Sequence, residues 1–244
     1  MPELEHTTST DARPPKGETS VEELTRAQTQ HARRVAESRA TVPDLSATIT
    51  VDMEAAAELL ASLTPSEGGA PSLGFEDLVV KAAALALREA PRANGAYRDG
   101  RFERYTRVNV GIVTTTADGA ATPVLFDADT RSVLELAAAR VRLAGRARDG
   151  SLTHPEQNGG TFTLTSLAEF GVRHVASLLH QPQAAALAMG AVESRAVVRE
   201  GAVVARRVVE LTLSCDHRIL HAADAGRLLR RLRELLEQPT LLTR

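Results

Sequence analysis

The 244-residue sequence predicts an α/β fold in which a mixed sheet carries helices layered on it. Three observations lead there. The stretch Leu211–Leu220, LTLSCDHRIL, alternates Leu211 and Leu213 with Thr212 and Ser214, the period of a half-buried strand. Directly after it, Ala225, Leu228, Leu229, Leu232, Leu235 and Leu236 recur at helical spacing across Ala222–Glu237. Elsewhere the strands follow one another without the regular strand–helix–strand alternation of an all-parallel sheet.

Met1–Ser20 is polar, carries Pro2, Pro14 and Pro15, and is expected to be a disordered tail ahead of one domain over residues 21–244. Val21–Arg39 reads as a helix stopped by Val42-Pro43, and Leu45–Asp52 alternates as a strand. Met53–Leu63 is a short helix and Thr64–Ser72 a Gly/Pro/Ser loop. Phe75–Ala90 is hydrophobic nearly all round, which predicts a buried helix. Asn94-Gly95 and Asp99-Gly100 mark a turn region. Val108–Thr116 and Thr122–Phe126 read as strands around the Asp118-Gly119 turn. Ser132–Arg148 is an amphipathic helix ending before Asp149-Gly150. Gly159–Leu167 is the next strand, followed by a loop through Pro182. Ala184–Val192 is apolar enough for a central strand. Val197–Arg199 and Val203–Cys215 pair across Glu200-Gly201.

Composition narrows the function. A formal net charge of −2 gives no bulk attraction to nucleic acid or an anionic membrane, so neither partner is expected. Cys215 is the one cysteine, which excludes an internal disulfide and a cysteine zinc cluster. No apolar run reaches about 18 residues and the N-terminus lacks a signal-peptide core, so a cytoplasmic protein is expected.

The residues leave three chemistries open. His217 and His221 form an i, i+4 pair, with His174 and His180 upstream, but no Glu-bearing helix motif completes a metal set and no metal is expected. Cys215 and His217 fall on one face of a strand, the placement a Cys–His dyad needs, although a lone cysteine is commonly a small buried hydrophobe. The strand GTFTLTSL presents Thr161, Thr163 and Thr165 on one face, hydroxyls able to stabilise an oxyanion, yet threonine is also an ordinary strand former. His217 follows a strand end, and histidine titrates near neutrality, as a residue that takes and returns a proton must.

Longer segments carry a resemblance. GGTFTLTSLAEFGV (Gly159–Val172), QPQAAALAMG (Gln181–Gly190) and LSCDHR with the leucine-rich helix and Glu237-Gln238-Pro239 resemble the catalytic domain of the dihydrolipoamide acyltransferases. These form the cores of 2-oxo acid dehydrogenase complexes. HARRVAESRATVPDLSATITVDM, VVKAAALALREAP, VNVGIVTTTADGAATPVLFDADTRSVLEL and ARDGSLTHPEQNGGTFT extend the likeness over about Val21 to Leu242.

The resemblance implies the two-layer sandwich of chloramphenicol acetyltransferase, assembled as a homotrimer with active sites between subunits. Coenzyme A and the acceptor enter a channel from opposite ends. It maps the general base onto His217 and the oxyanion-stabilising hydroxyl onto Thr165, supplied by the neighbouring subunit. The histidine deprotonates the acceptor, which attacks the thioester directly, so Cys215 has no required role. Asp216, Arg218 and His221 are expected to support the base. Two departures stand out. The family's His-x-x-x-Asp-Gly is here His217 to His221-Ala222, and the lost acid is normally braced by an arginine of the leading helix, here Arg33 or Arg34. In addition, about 20 residues precede that helix, with no lipoyl domain and no lipoylation-type lysine, since Lys16 sits in Pro-Pro-Lys-Gly.

From these departures follows the expectation of a stand-alone enzyme. It moves an acyl group, acetyl by preference, from acyl-CoA as co-substrate to a small-molecule hydroxyl of specialised metabolism, such as a tetronate ring. No permanently bound cofactor is expected, and the residues holding acyl-CoA are not assigned. The alternatives are a core acyltransferase of a 2-oxo acid dehydrogenase complex with lipoyl domains on another chain, or a structural homologue that has lost catalysis. The C-terminal Leu241-Leu242-Thr243-Arg244 places a charge where larger cores dock an apolar end, so a free trimer of about 78 kDa, three 26.1 kDa chains, is expected.

Overall fold

The computed structural model describes residues 20–63 and 73–243. All of the expected tail Met1–Ser20 except Ser20, the loop Thr64–Ser72 and Arg244 lie outside them. The chain runs through α1 (Arg26–Thr41), β1 (Asp44–Asp52), α2 (Glu54–Leu63), α3 (Phe75–Glu89), β2 (Gly95–Arg98), β3 (Arg101–Arg104) and β4 (Val110–Ile112). It continues through β5 (Thr114–Thr116), β6 (Gly119–Ala121), β7 (Val124–Leu125), α4 (Val133–Arg148), α5 (His154–Asn158) and β8 (Phe162–Ser166). It ends with β9 (Ala185–Met189), β10 (Glu193–Arg199), β11 (Ala202–Asp216) and α6 (Ala222–Glu237).

Seven strands form the main sheet in the order β1-β11-β9-β8-β4-β7, with β10 also paired to β11. The β4–β8 and β8–β9 pairings are parallel and the others antiparallel, which is the mixed sheet expected. Alternation along the strands decides which face is covered. Val209, Leu211, Leu213 and Cys215 of β11, Leu187 and Met189 of β9, and Phe162 and Leu164 of β8 share one core cluster with α3, α4 and α6. The opposite face carries small and hydroxyl side chains. There Thr48 meets Thr212 at 3.0 Å, and Ala186 packs with Val42 of the α1–β1 link and Leu179 of the loop after β8.

Local chemistry sets the element ends. Thr25 and Gln28 close a reciprocal capping box, so α1 begins at Arg26 and not at Val21 as the apolar spacing suggested. The Asn94–Gly100 turn region is a hairpin, β2 to β3, with Asp99-Gly100 as its turn. The expected strand Val108–Thr116 splits into β4, whose ladder with β8 extends to Val113 N–H on Leu164 O, and β5, which pairs with β6 in a separate two-stranded sheet. Gly190 is required by packing. A Cβ there would overlap the Arg173 carbonyl, and Ala191 N–H donates to Val172 O at 2.7 Å beside it. This close approach seats the loop after β8 over the sheet. The last leucine, Leu242, is 1% exposed and belongs to its own subunit's core.

Candidate active site

β11 delivers the sequence Asp216-His217-Arg218 to the end of the sheet, and backbone bonds fix it there. Asp216 N–H donates to Ala184 O at 2.9 Å, and His217 N–H to Pro43 O at 2.9 Å. Ile219 and Leu220 N–H then turn back onto Asp216 O at 3.1 and 2.9 Å. The Asp216 carboxylate, 3% exposed, accepts from Arg218 N–H at 3.0 Å. It also takes the Arg218 guanidinium in a fork, Nε to Oδ1 at 2.9 Å and Nη2 to Oδ2 at 2.6 Å. That guanidinium lies 3.9 Å from the centroid of the Tyr97 ring.

His217 is exposed on the single subunit, and its Nδ1 is 3.0 Å from Leu220 O. A carbonyl only accepts, so Nδ1 carries the hydrogen and Nε2 keeps a free lone pair. A neutral imidazole held in this tautomer presents Nε2 as a base. His221 is the N-cap of α6, its N–H donating to Asp224 Oδ2 at 3.2 Å. Its ring stands edge-on to that of His217, with centroids 5.6 Å apart and planes at 78°. An aromatic edge thus occupies the place where the resemblance implies a carboxylate.

The other sequence candidates fare differently. Arg33 and Arg34 lie exposed on α1 and make no ion pair with a carboxylate among the described residues, so neither braces His217 within one subunit. Burial, and then the charges of His31 and Arg34, hold the His180 imidazole below its ordinary range. Cys215 does not share a face with His217, because strand alternation ends at Asp216 and the turn carries the histidine out of the sheet. The Cys215 thiol is sealed in the core near Leu45 O. Burial first, then the charges of Asp216, Asp224 and Asp44, push it up to about 11, so no thiolate nucleophile forms near neutrality.

Thr165 is half-buried on the face opposite the helices, in register with Ala188, which is in turn level with Thr212 of β11. Asp216 stands four residues beyond Thr212, about 13 Å along the strand, and β8 lies two strand spacings, about 10 Å, to the side. A single subunit therefore does not bring Thr165 and His217 to one reacting carbonyl. Next to His217 a cleft of about 260 Å³ is lined by Thr41, Tyr97, Arg98, Gln181, Asp216 and Arg218, among others. Tyr97 gave no sequence signal beyond its place beside a turn. Among the described residues no group of three His, Cys, Asp or Glu is placed to hold a metal ion, and no helix is long and apolar enough to cross a membrane.

Residues 16–244 match the model of the 2-oxoacid dehydrogenases acyltransferase catalytic domain. The chain belongs to this family. The Zymomonas mobilis dihydrolipoyllysine-residue acetyltransferase component of pyruvate dehydrogenase complex is 32% identical over 209 residues, covering 85% of this chain and 48% of that protein. The same component of Rhizobium meliloti is 32% identical with the same coverage. This acyltransferase chain thus spans about half the length of the curated relatives it matches. Among solved structures, the Azotobacter vinelandii dihydrolipoamide acetyltransferase aligns with TM-score 0.89 and 26% identity, over 99% of this chain and 98% of that one. Chloramphenicol acetyltransferase, at TM-score 0.56 and 16% identity over 84% of this chain and 94% of its own, shares the fold. The expected sandwich is the one found.

Proposed function

We propose that this chain is the acyltransferase core of a 2-oxo acid dehydrogenase complex, passing an acyl group between a dihydrolipoyl thiol and coenzyme A. The observation that carries the reading is the free Nε2 of His217, aimed by the Nδ1–H bond to Leu220 O. Nε2 takes the proton of the attacking thiol, and the sulfur adds to the thioester carbonyl. Thr165 of a neighbouring subunit donates its hydroxyl hydrogen to the oxyanion. Collapse expels the second thiol as thiolate, which recovers the proton from the imidazolium. The atoms balance without an acyl-enzyme, in keeping with the sealed Cys215.

The relatives favour the thiol partner, since those described above are named for dihydrolipoyllysine or dihydrolipoamide. A small-molecule hydroxyl, with acyl-CoA as donor, was the sequence expectation and draws no support from them. Spacing supports the residue roles. In the Azotobacter vinelandii enzyme a serine, a histidine 52 residues later and an asparagine four further on were investigated for their part in catalysis. Thr165, His217 and His221 stand at the same separations here. An asparagine at the third place also means that a carboxylate is not obligatory there, which lightens the departure at His221.

The test uses acetyl-CoA with dihydrolipoamide and follows thioester transfer. Wild type is expected to turn over, and His217→Ala to lose a factor on the order of 10² to 10⁴ in kcat with folding retained. Unchanged turnover in that variant removes the base assignment. Transfer to hydroxyl acceptors alone favours the stand-alone enzyme, and no transfer at all the lapsed homologue.

A further inference from the structure

Beyond its backbone bonds, the turn that carries His217 is held by a side-chain network. Asp216 is a buried carboxylate, and its counter-ion is a guanidinium on the very next residue but one. Arginine so close in sequence reaches back only in one folded-over arrangement, and its side chain stays 30% exposed. Water therefore competes for the same guanidinium. Loss of the fork leaves a buried charge unpaired beside the base, a costly state. Against that competition the ring of Tyr97 offers its face to the guanidinium, 3.9 Å from the ring centroid. Tyr97 is itself clamped from below. It pairs across the hairpin with Phe102, and both pack on the core cluster. Its neighbour Ala96 bridges to Gln183. Gly95 admits no Cβ, which would overlap the Glu103 carbonyl.

We propose that Tyr97 is a positioning residue for acyl transfer: its ring holds Arg218 on Asp216, and the Asp216–Arg218 fork fixes the turn that aims His217. The chain of contacts is unbroken, from ring face to guanidinium, to carboxylate, to the Arg218 N–H that the same carboxylate accepts on the far side of His217. The proposal rests on His217 as the base, and its test separates the two.

Two substitutions divide the ring face from the hydroxyl and from bulk. Tyr97→Phe keeps the face, and Tyr97→Met keeps comparable volume without it. With acetyl-CoA and dihydrolipoamide, Tyr97→Met is expected to lower kcat about tenfold with KM changed less than about twofold, while Tyr97→Phe stays near wild type. A second readout is independent of turnover. The His217 imidazole signal, assigned by its loss in His217→Ala, is titrated by NMR. In Tyr97→Met the released Asp216 carboxylate favours the imidazolium, so the midpoint moves up, and in Tyr97→Phe it does not. In an Arg218→Gln background, Tyr97→Met should add nothing further. Should Tyr97→Met not fold, Arg218→Lys breaks the ring contact and the fork from the other side and must give the same upward midpoint. Equal midpoints in Met and Phe variants, or an equal kcat loss in both, overturn the proposal. A normal midpoint shift in a protein whose His217→Ala variant remains active overturns the base assignment and with it the role of Tyr97 in acyl transfer, leaving only a structural link between Tyr97 and the His217 turn.

Discussion

Leu220 O admits one tautomer and one ring orientation of His217, which is what the proposed base requires. The pattern of a strand, then Asp-His-Arg, then a leucine helix made that residue legible in the sequence. Its bracing was not legible, since the Tyr97 contact joins residues 121 positions apart. Cys215 shows where alternation misleads. Counting by twos puts it with His217, but the count ends with the strand at Asp216. Its burial has a measurable consequence. In the folded chain the thiol's pKa is about 11 against 9.0 for the free group, so the unfolded state sheds its proton first as pH rises. The contribution to stability is whole below pH 9 and is lost between about 9 and 11, to a total of up to about 3 kcal/mol. Denaturant titrations at pH 8 and pH 11 should show Cys215→Ala losing less stability over that interval than wild type. Equal losses would mean the thiol is not what titrates. Native alkylation at neutral pH should be slow for the same reason.

At the scale of elements, spacing located most helices and strands within a few residues, because capping and turn residues end them where the apolar pattern stops. α6 matches its expected bounds, Ala222–Glu237. The hairpin of β2 and β3 was read only as a turn, since four-residue strands carry too little alternation to register. Nor does any local signal announce that the loop after β8 crosses within contact of β9's end. Gly190 is the residue that permits it. Gly190→Ala should destabilise the fold by more than about 3 kcal/mol, since the obstruction is backbone and not a side chain that can swing aside. Gly145→Ala on α4, where a Cβ meets nothing, is the control and should be neutral or slightly stabilising in the same thermal melts. Parity between the two variants would show that the loop lifts away freely.

Taken as a whole molecule, one chain holds His217 and Thr165 at different levels of the sheet. His217 follows the end of β11, and Thr165 is level with Thr212, about 13 Å back along that strand and two strands across. The fold was legible because its core alternates plainly. The proposed division of the site comes from the family resemblance, as no property of a single chain's sequence states which subunit a residue serves. A trimer, as proposed, should give about 78 kDa in light scattering, three chains of 26.1 kDa. A larger mass would mean another surface joins the trimers.

The division of the site is the central claim, and mixing two dead proteins tests it most directly. His217→Ala and Thr165→Ala subunits are unfolded together in equal amounts, refolded, and assayed for acetyl transfer to dihydrolipoamide. Each variant alone should be nearly inactive. If every site joins one subunit's His217 to its neighbour's Thr165, about a quarter of the sites in the mixture regain both residues, and about a quarter of wild-type activity returns. No recovery, with mixed assemblies confirmed by native mass spectrometry, would contradict the account and place both groups in one chain.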